Sequence, residues 1–200
     1  KLGVAFGLVP YSTVGYKMKS TVNRNVQQYE GKGNVNQFFA SGGYKLYDGL
    51  RIGASFKYHF GSIEMTDILQ LYNVEFFTQE SSKQTLKGAS VNFGLYYELP
   101  LRHRLRLYSS LVYTPESKLS SDNERSVQML SYVNGGNSGT QLSVRSIQQI
   151  DLGAKGIKET KLTLPTQIEV GLGIGEHQKW FTGLEYTYAN TKSFSNPFLS

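Results

Sequence analysis

Two glutamates, Glu169 and Glu185, stand on either side of a short turn in an otherwise alternating sequence. If the hairpin turns about His177, the two carboxylates oppose each other. Like charges so placed need a cation between them or a shared proton. By the same reasoning a hairpin about Arg102 sets Glu98 opposite Arg106 as an ion pair, and a turn at 47–49 sets Phe39 opposite Lys57 and Gln37 opposite His59. Two roles are open to these groups: a polar network that fills and stiffens a barrel, or direct contact with something passing through it.

Other chemistry finds little support. The three histidines, His59, His103 and His177, lack metal-ligand spacing, so no metal is expected. "GLGIG" (171–175) has no helix after it and so is not a nucleotide loop. No serine has a nucleophile-elbow context, and neither Asp67 nor Asp151 heads a calcium loop. Cysteine is absent, which excludes disulfide scaffolds and thiol catalysis. The expectation is a non-enzyme without cofactors. Net charge is +6, but the basic residues are scattered among turns, so nucleic acid is not an expected partner.

The elements that must position these residues read as strands. Apolar residues alternate with polar or small ones in seven runs. Leu2, Val4, Phe6 and Leu8 form the first, and the same phase resumes beyond Pro10 as Val14, Tyr16 and Met18. Later runs include Ile52 and Phe56, then Leu95, Leu107, Val170 and Leu184. Facing the other way are Arg51, Lys57, His59, Asn92, Glu98, Arg106, Glu169 and Glu185. Short connections (47–49, 100–104 and 176–178) alternate with long polar segments (23–34, 65–86 and 115–161). An apolar outer band, a polar lumen, short periplasmic turns and long extracellular loops are the marks of an antiparallel transmembrane β-barrel in a bacterial outer membrane.

Within the long segments, Ile68, Leu69, Tyr72 and Phe76 fall at helical spacing, and Met129 and Leu130 lie in a second apolar cluster. They suggest either loops packed on one another or a groove for a hydrophobic ligand.

Three stretches carry a family resemblance: "LGVAFGLVPYSTVGY", "NQFFASGGYKLYDGLRIGASFKYHFGSIE" and "LTLPTQIEVGLGIGEHQKWFTGLEYTYA". On these the chain resembles the FadL family of outer-membrane transporters for long-chain fatty acids and other hydrophobic compounds. The resemblance implies a single domain over 1–200, covering about the third to ninth of fourteen strands, without the N-terminal hatch or the last strands. It implies passive diffusion of a hydrophobic small molecule, with lateral exit into membrane lipid where the third strand kinks. That kink would fall at Gly7, Pro10, Tyr11 and Gly15, since Pro10 lacks an N–H and glycines bend easily. Alternatively, a hairpin around Pro10 would give eight strands and a small closed barrel. A second functional reading is a structural or interaction barrel in an outer-membrane secretion or surface-attachment assembly, meeting a protein partner through its extracellular loops.

Overall fold

The computed structural model describes residues 1–101, 104–134, 140–154, 156–176 and 178–193, without side-chain detail for 132–134, 140–142 and 193. His103, His177 and most of the "NGGNSG" turn therefore lie outside the described residues. Among the described residues ten strands form one antiparallel sheet: β1 (Leu2–Val22), β2 (Asn25–Tyr47), β3 (Leu50–Gln70), β4 (Phe76–Pro100), β5 (Leu105–Thr114), β6 (Ser117–Asn134), β7 (Thr140–Gln149), β8 (Glu159–Leu164), β9 (Gln167–Glu176) and β10 (Trp180–Ala189). The order is β1-β2-β3-β4-β5-β9-β10, with β6 joined to β4, β7 and β8.

The ten strands reduce to seven continuous staves plus β7. Only Pro115 and Glu116 separate β5 from β6, and both pair with β4. Only Pro165 and Thr166 separate β8 from β9, and the register against β5 and β6 carries straight across, from Thr114 opposite Gln167 to Ser117 opposite Leu164. Each proline removes one ladder donor, which explains breaks of two residues in staves that do not change direction.

The segments expected as long loops are instead mostly strand. β1 and β2 join through a two-residue turn at Asn23 and Arg24, with φ of 52° and 67°. Both central residues of a tight primed turn need positive φ, which asparagine tolerates well. β3 and β4 run to Gln70 and from Phe76, and β6, β7 and β8 occupy much of 115–161. The short turn at 48–49 is as expected: Gly49 has φ 91°, and a Cβ there would strike the Glu98 carbonyl oxygen. β1 and β10, the two ends of the strand order, run in the same direction, so they are not an antiparallel pair for each other.

Pairing fixes the faces, because directly opposed residues share one. Along the lower staves Leu8, Phe38 and Tyr58 are on the outer face, as are Ile52, Phe56, Leu95, Leu111 and Val170. Val9, Gln37 and His59 share the inner face, where His59 is 1 % exposed. Higher on the same staves the polarity reverses. The outer face there carries Lys17, Glu30, Lys32, Glu64, Lys83 and Glu124, all in opposed cross-strand positions. The inner face carries Val14, Val35, Ile63 and Leu86, of which Val35 and Leu86 are buried.

On β1 the reversal is produced by a bulge. Pro10 opposes Asn36 but Ser12 opposes Val35, leaving Tyr11 as the extra residue. One extra residue flips the parity of everything after it. Val14, Tyr16 and Met18 keep the sequence phase of Leu2 to Leu8 but turn to the opposite face. Tyr16 accordingly lies across Gly31 on the inner side.

Candidate functional site: the polar inner face and the belt where the wall changes polarity

Three interruptions, the Tyr11 bulge, Pro115 and Pro165, border one inner cavity of about 110 Å³. Its lining also includes Lys57, His59, Asn92 and Glu169. Staves as distant as β1 and β9 contribute to it because the sheet curls inward. The Tyr11 ring meets His59 edge-on at 4.6 Å between centroids, reaching over β2. His59 Nε2 is 2.9 Å from Ser90 Oγ, while His59 Nδ1 and Asn92 Oδ1 are buried without a protein partner. Buried polar atoms of this kind are normally satisfied by ordered water, and the cavity has room for a few molecules.

Lower on the inner face, Glu98 is held from both sides. Arg106 bonds to Oε1, and Arg51 Nη2 lies 3.1 Å from Oε2. The Glu98 side chain is 12 % exposed, while the two arginines stay half in solvent. Arg51 also stacks over Tyr96 at 5.0 Å, and Tyr96, Tyr108 and Phe181 continue as a row of inner aromatics. Phe181 lies across Gly173, whose missing Cβ makes the space. "GLGIG" is thus a packing device of the inner wall.

Sequence registers at two hairpins need correction. Glu98 opposes Tyr108, so Arg106 reaches it on the diagonal. Glu185 opposes Gly171 and Glu169 opposes Thr187, so the two glutamates are not a directly facing pair. The cause is the turn. Trp180 pairs with Glu176, and Gln178 takes φ 62°, which places the reversal one residue beyond His177 and slides the register by two. A slide of two keeps each side chain on its expected face. At the first hairpin, Phe39 opposes Lys57 and Gln37 opposes His59, as read.

The residues read as a kink sit on β1, which stays paired to β2 from Leu2 to Val22 except at Tyr11. Gly7 is covered by the Phe39 ring, and Gly15 opposes Lys32. Those read as a loop groove are split by strand alternation. Ile68 and Leu69 are successive residues of β3, Met129 and Leu130 of β6, and each pair points to opposite faces. Phe76 opens β4, and Tyr72 lies in the turn before it, where Arg24 Nη1 donates to its hydroxyl at 2.8 Å and stacks on its ring.

Above the belt, the outer face bears an alternating ladder: Lys32 opposes Glu64, Glu64 opposes Lys83 and Lys83 opposes Glu124. Lys17 and Glu30 form a further pair at 3.1 Å. On the inner side Asp67 opposes Glu80, which is bound by Arg125. Burial, then the Glu80 charge, raises the Asp67 carboxyl above its usual pKa, with Arg125 acting against them. This arrangement escaped sequence reading. The available signal was the alternation of lysine and glutamate between segments 30–32, 64, 83 and 124, which is legible only once those segments are paired.

Among the described residues no three His, Asp or Glu side chains come together as a metal site. The BamG family profile matches residues 1–200. No curated protein and no solved structure matches the chain. The match corrects the FadL resemblance: alternation, short turns and tyrosine-rich strands are common to outer-membrane walls of different families, and the stretches that suggested FadL carry no ligand-contact motif. With it go fatty-acid transport and the hydrophobic small-molecule ligand.

Proposed function

The chain belongs to the BamG family, and from that membership we propose that it is a non-catalytic wall and interaction subunit of the machinery that assembles outer-membrane proteins. It resides in the bacterial outer membrane. In this reading the lower staves span the bilayer and the upper staves stand in water as a protein-binding tower.

The observation that carries the reading is the reversal of polarity along single strands. Below the belt the outer face is aliphatic and aromatic, and the inner face holds the Arg51–Glu98–Arg106 cluster. That is the pattern of a membrane wall. Above it the outer face is an ion-pair ladder, and the inner face holds Val35 and Leu86. A ladder of charges facing lipid would cost several kcal/mol per site. In water it suits a surface that meets other proteins, and it borders a recess of about 660 Å³ lined by Glu64, Lys83, Glu124, Asp151 and Lys158. Charges of both signs in one recess favour a polar protein partner through electrostatic complementarity.

The test is affinity purification from outer membranes with photo-crosslinkers placed at Ser62 or Ser81 on the tower, together with depletion of the protein. Crosslinks to assembly-machinery subunits and a fall in folded outer-membrane proteins support the reading. A protein with no such partner, whose depletion leaves folded outer-membrane proteins at normal levels, defeats it.

A further inference from the structure

We propose that three lysines at the upper edge of the apolar band, Lys87, Lys118 and Lys161, form a site for the phosphate of a lipid headgroup. The inference rests on the membrane-spanning reading above.

The site follows from register. Phe60 opposes Lys87, Lys87 opposes Ser120 and Ser120 opposes Lys161, so this rung of the outer face runs from an aromatic to two lysines. Lys118 lies two residues below Ser120 on the same face and opposes Thr163. Adjacent on β3 are Tyr58 and Phe60, stacked at 6.2 Å between centroids. Aromatic residues at this level mark the boundary between hydrocarbon and headgroups.

Strand spacing places Lys87 and Lys161 about 10 Å apart across β6, with Lys118 on the diagonal about 7–8 Å from each. Lysine stems lie along apolar surface while their ammonium groups reach for the polar layer. From these positions the three ammonium groups can converge on one phosphate. All three residues are exposed. Lys87 is 3.3 Å from Asp122, while Lys118 and Lys161 make no ion pair among the described residues.

The order of charge gives the site its direction. The next rung up carries Asp122 opposite Glu159, and the one above it Glu64, Lys83 and Glu124. Lysines therefore lie nearest the band and carboxylates farther away. A membrane headgroup layer approaches from the band side, where it meets the lysines before these carboxylates, although Glu116, two residues below Lys118, is an exposed carboxylate on that side. A soluble phosphorylated partner would have to pass the carboxylates, which disfavours it.

The full chain should be inserted into nanodiscs holding equal phosphatidylglycerol and phosphatidylcholine, extracted gently, and its retained lipids identified by native mass spectrometry. Each lysine near an anionic surface contributes about fivefold to binding. The protein should therefore retain phosphatidylglycerol over phosphatidylcholine by about tenfold or more. Lys87→Gln/Lys118→Gln/Lys161→Gln should abolish the preference. Lys17→Gln/Lys32→Gln/Lys83→Gln, which removes equal charge higher on the tower, should keep it. Insertion without a headgroup preference, or a preference equal in the two triple variants, overturns the site alone. Failure to insert overturns the membrane-spanning reading and the site with it.

Discussion

Glu64 stands directly opposite Lys32, their charged groups 3.5 Å apart, on the same face of the same two strands that carries Tyr58 opposite Phe38 six residues lower. One pair of strands thus presents ions and aromatics to the same side. The proposed function accounts for both by placing the lower part of the strands in lipid and the upper part in water.

That division predicts opposite responses to one substitution. Leu95→Lys, in the apolar band, should cost about 2–4 kcal/mol of folding free energy in lipid, as a lysine facing hydrocarbon does. Ser62→Lys, on the outer face above the belt, should change stability by about 0.5 kcal/mol or less, as surface substitutions do. Heat-modifiability on gels and urea titration in liposomes measure both. Equal costs at the two positions would remove the boundary between them.

Asp67 predicts a pH dependence with a definite sign. Its carboxyl is raised by burial and by the Glu80 charge opposite. A raised acid favours the protonated folded state. Stability from this group is therefore greatest below the ordinary aspartate value of 3.8 and is lost as pH rises through the raised folded value. Asp67→Asn should stabilise the protein at neutral pH, and its advantage should vanish near pH 3. Denaturation curves of both proteins across this range test it, and an advantage that persists unchanged at low pH would contradict the assignment.

Glu98 is the shared acid of two arginines. Glu98→Gln should cost about 1–3 kcal/mol, the range of hydrogen bonds to charged groups, with the exposed sides of Arg51 and Arg106 keeping it toward the low end. Arg51→Gln should cost less, because Arg106 remains bound to the carboxylate. A double-mutant cycle in detergent at two salt concentrations separates the two contributions.

Strand positions below the belt were legible because burial and exposure there follow a strict period of two, as in Ile52 to Phe60. The upper strands were not. Segments such as Gln27 to Asn34 and Ser81 to Thr85 set charged and polar outer residues against mostly small or polar inner ones, Gly31, Gly33 and Ser82 among them, and this resembles loop composition. Their place in the sheet is set by pairing, and pairing is a relation between distant residues. The shared face of Lys57, His59 and Glu98 held because the first hairpin keeps the register read for it and the slide at the hairpin of Glu98 is of two, which preserves faces. The opposition of Glu169 and Glu185 did not, because turn length sets register and a turn of unknown type leaves it open.

The Tyr11 bulge sets the sharpest prediction. Sequence phase is unbroken from Leu8 to Met18, so only the extra residue makes Leu8 face outward and Val14, Tyr16 and Met18 inward. Tyr11→Ala removes the ring contact with His59 at 4.6 Å but keeps the residue count. It should cost about 3–4 kcal/mol at most, as a large-to-small change at a partly exposed aromatic, and still fold. Deleting Tyr11 instead restores strict alternation. Every other pairing can then stay as it is, with Pro10 opposite Asn36 and Ser12 opposite Val35 as successive rungs of a regular ladder, so Leu2 to Leu8 keep the outer face and Val14, Tyr16 and Met18 the inner one. The Lys17–Glu30 pair and the apolar band are both kept, so the deletion should still fold, with the loss of the Tyr11 ring contact as its main cost. Inserting one residue between Tyr11 and Ser12 should instead sharply reduce folded protein, because a second extra residue forces a larger bulge or slides the upper ladder against β2. Folded protein scored by heat-modifiability and surface proteolysis distinguishes the cases. A deletion variant that fails to fold while Tyr11→Ala folds would show that Tyr11 is more than an extra residue between two regular ladders.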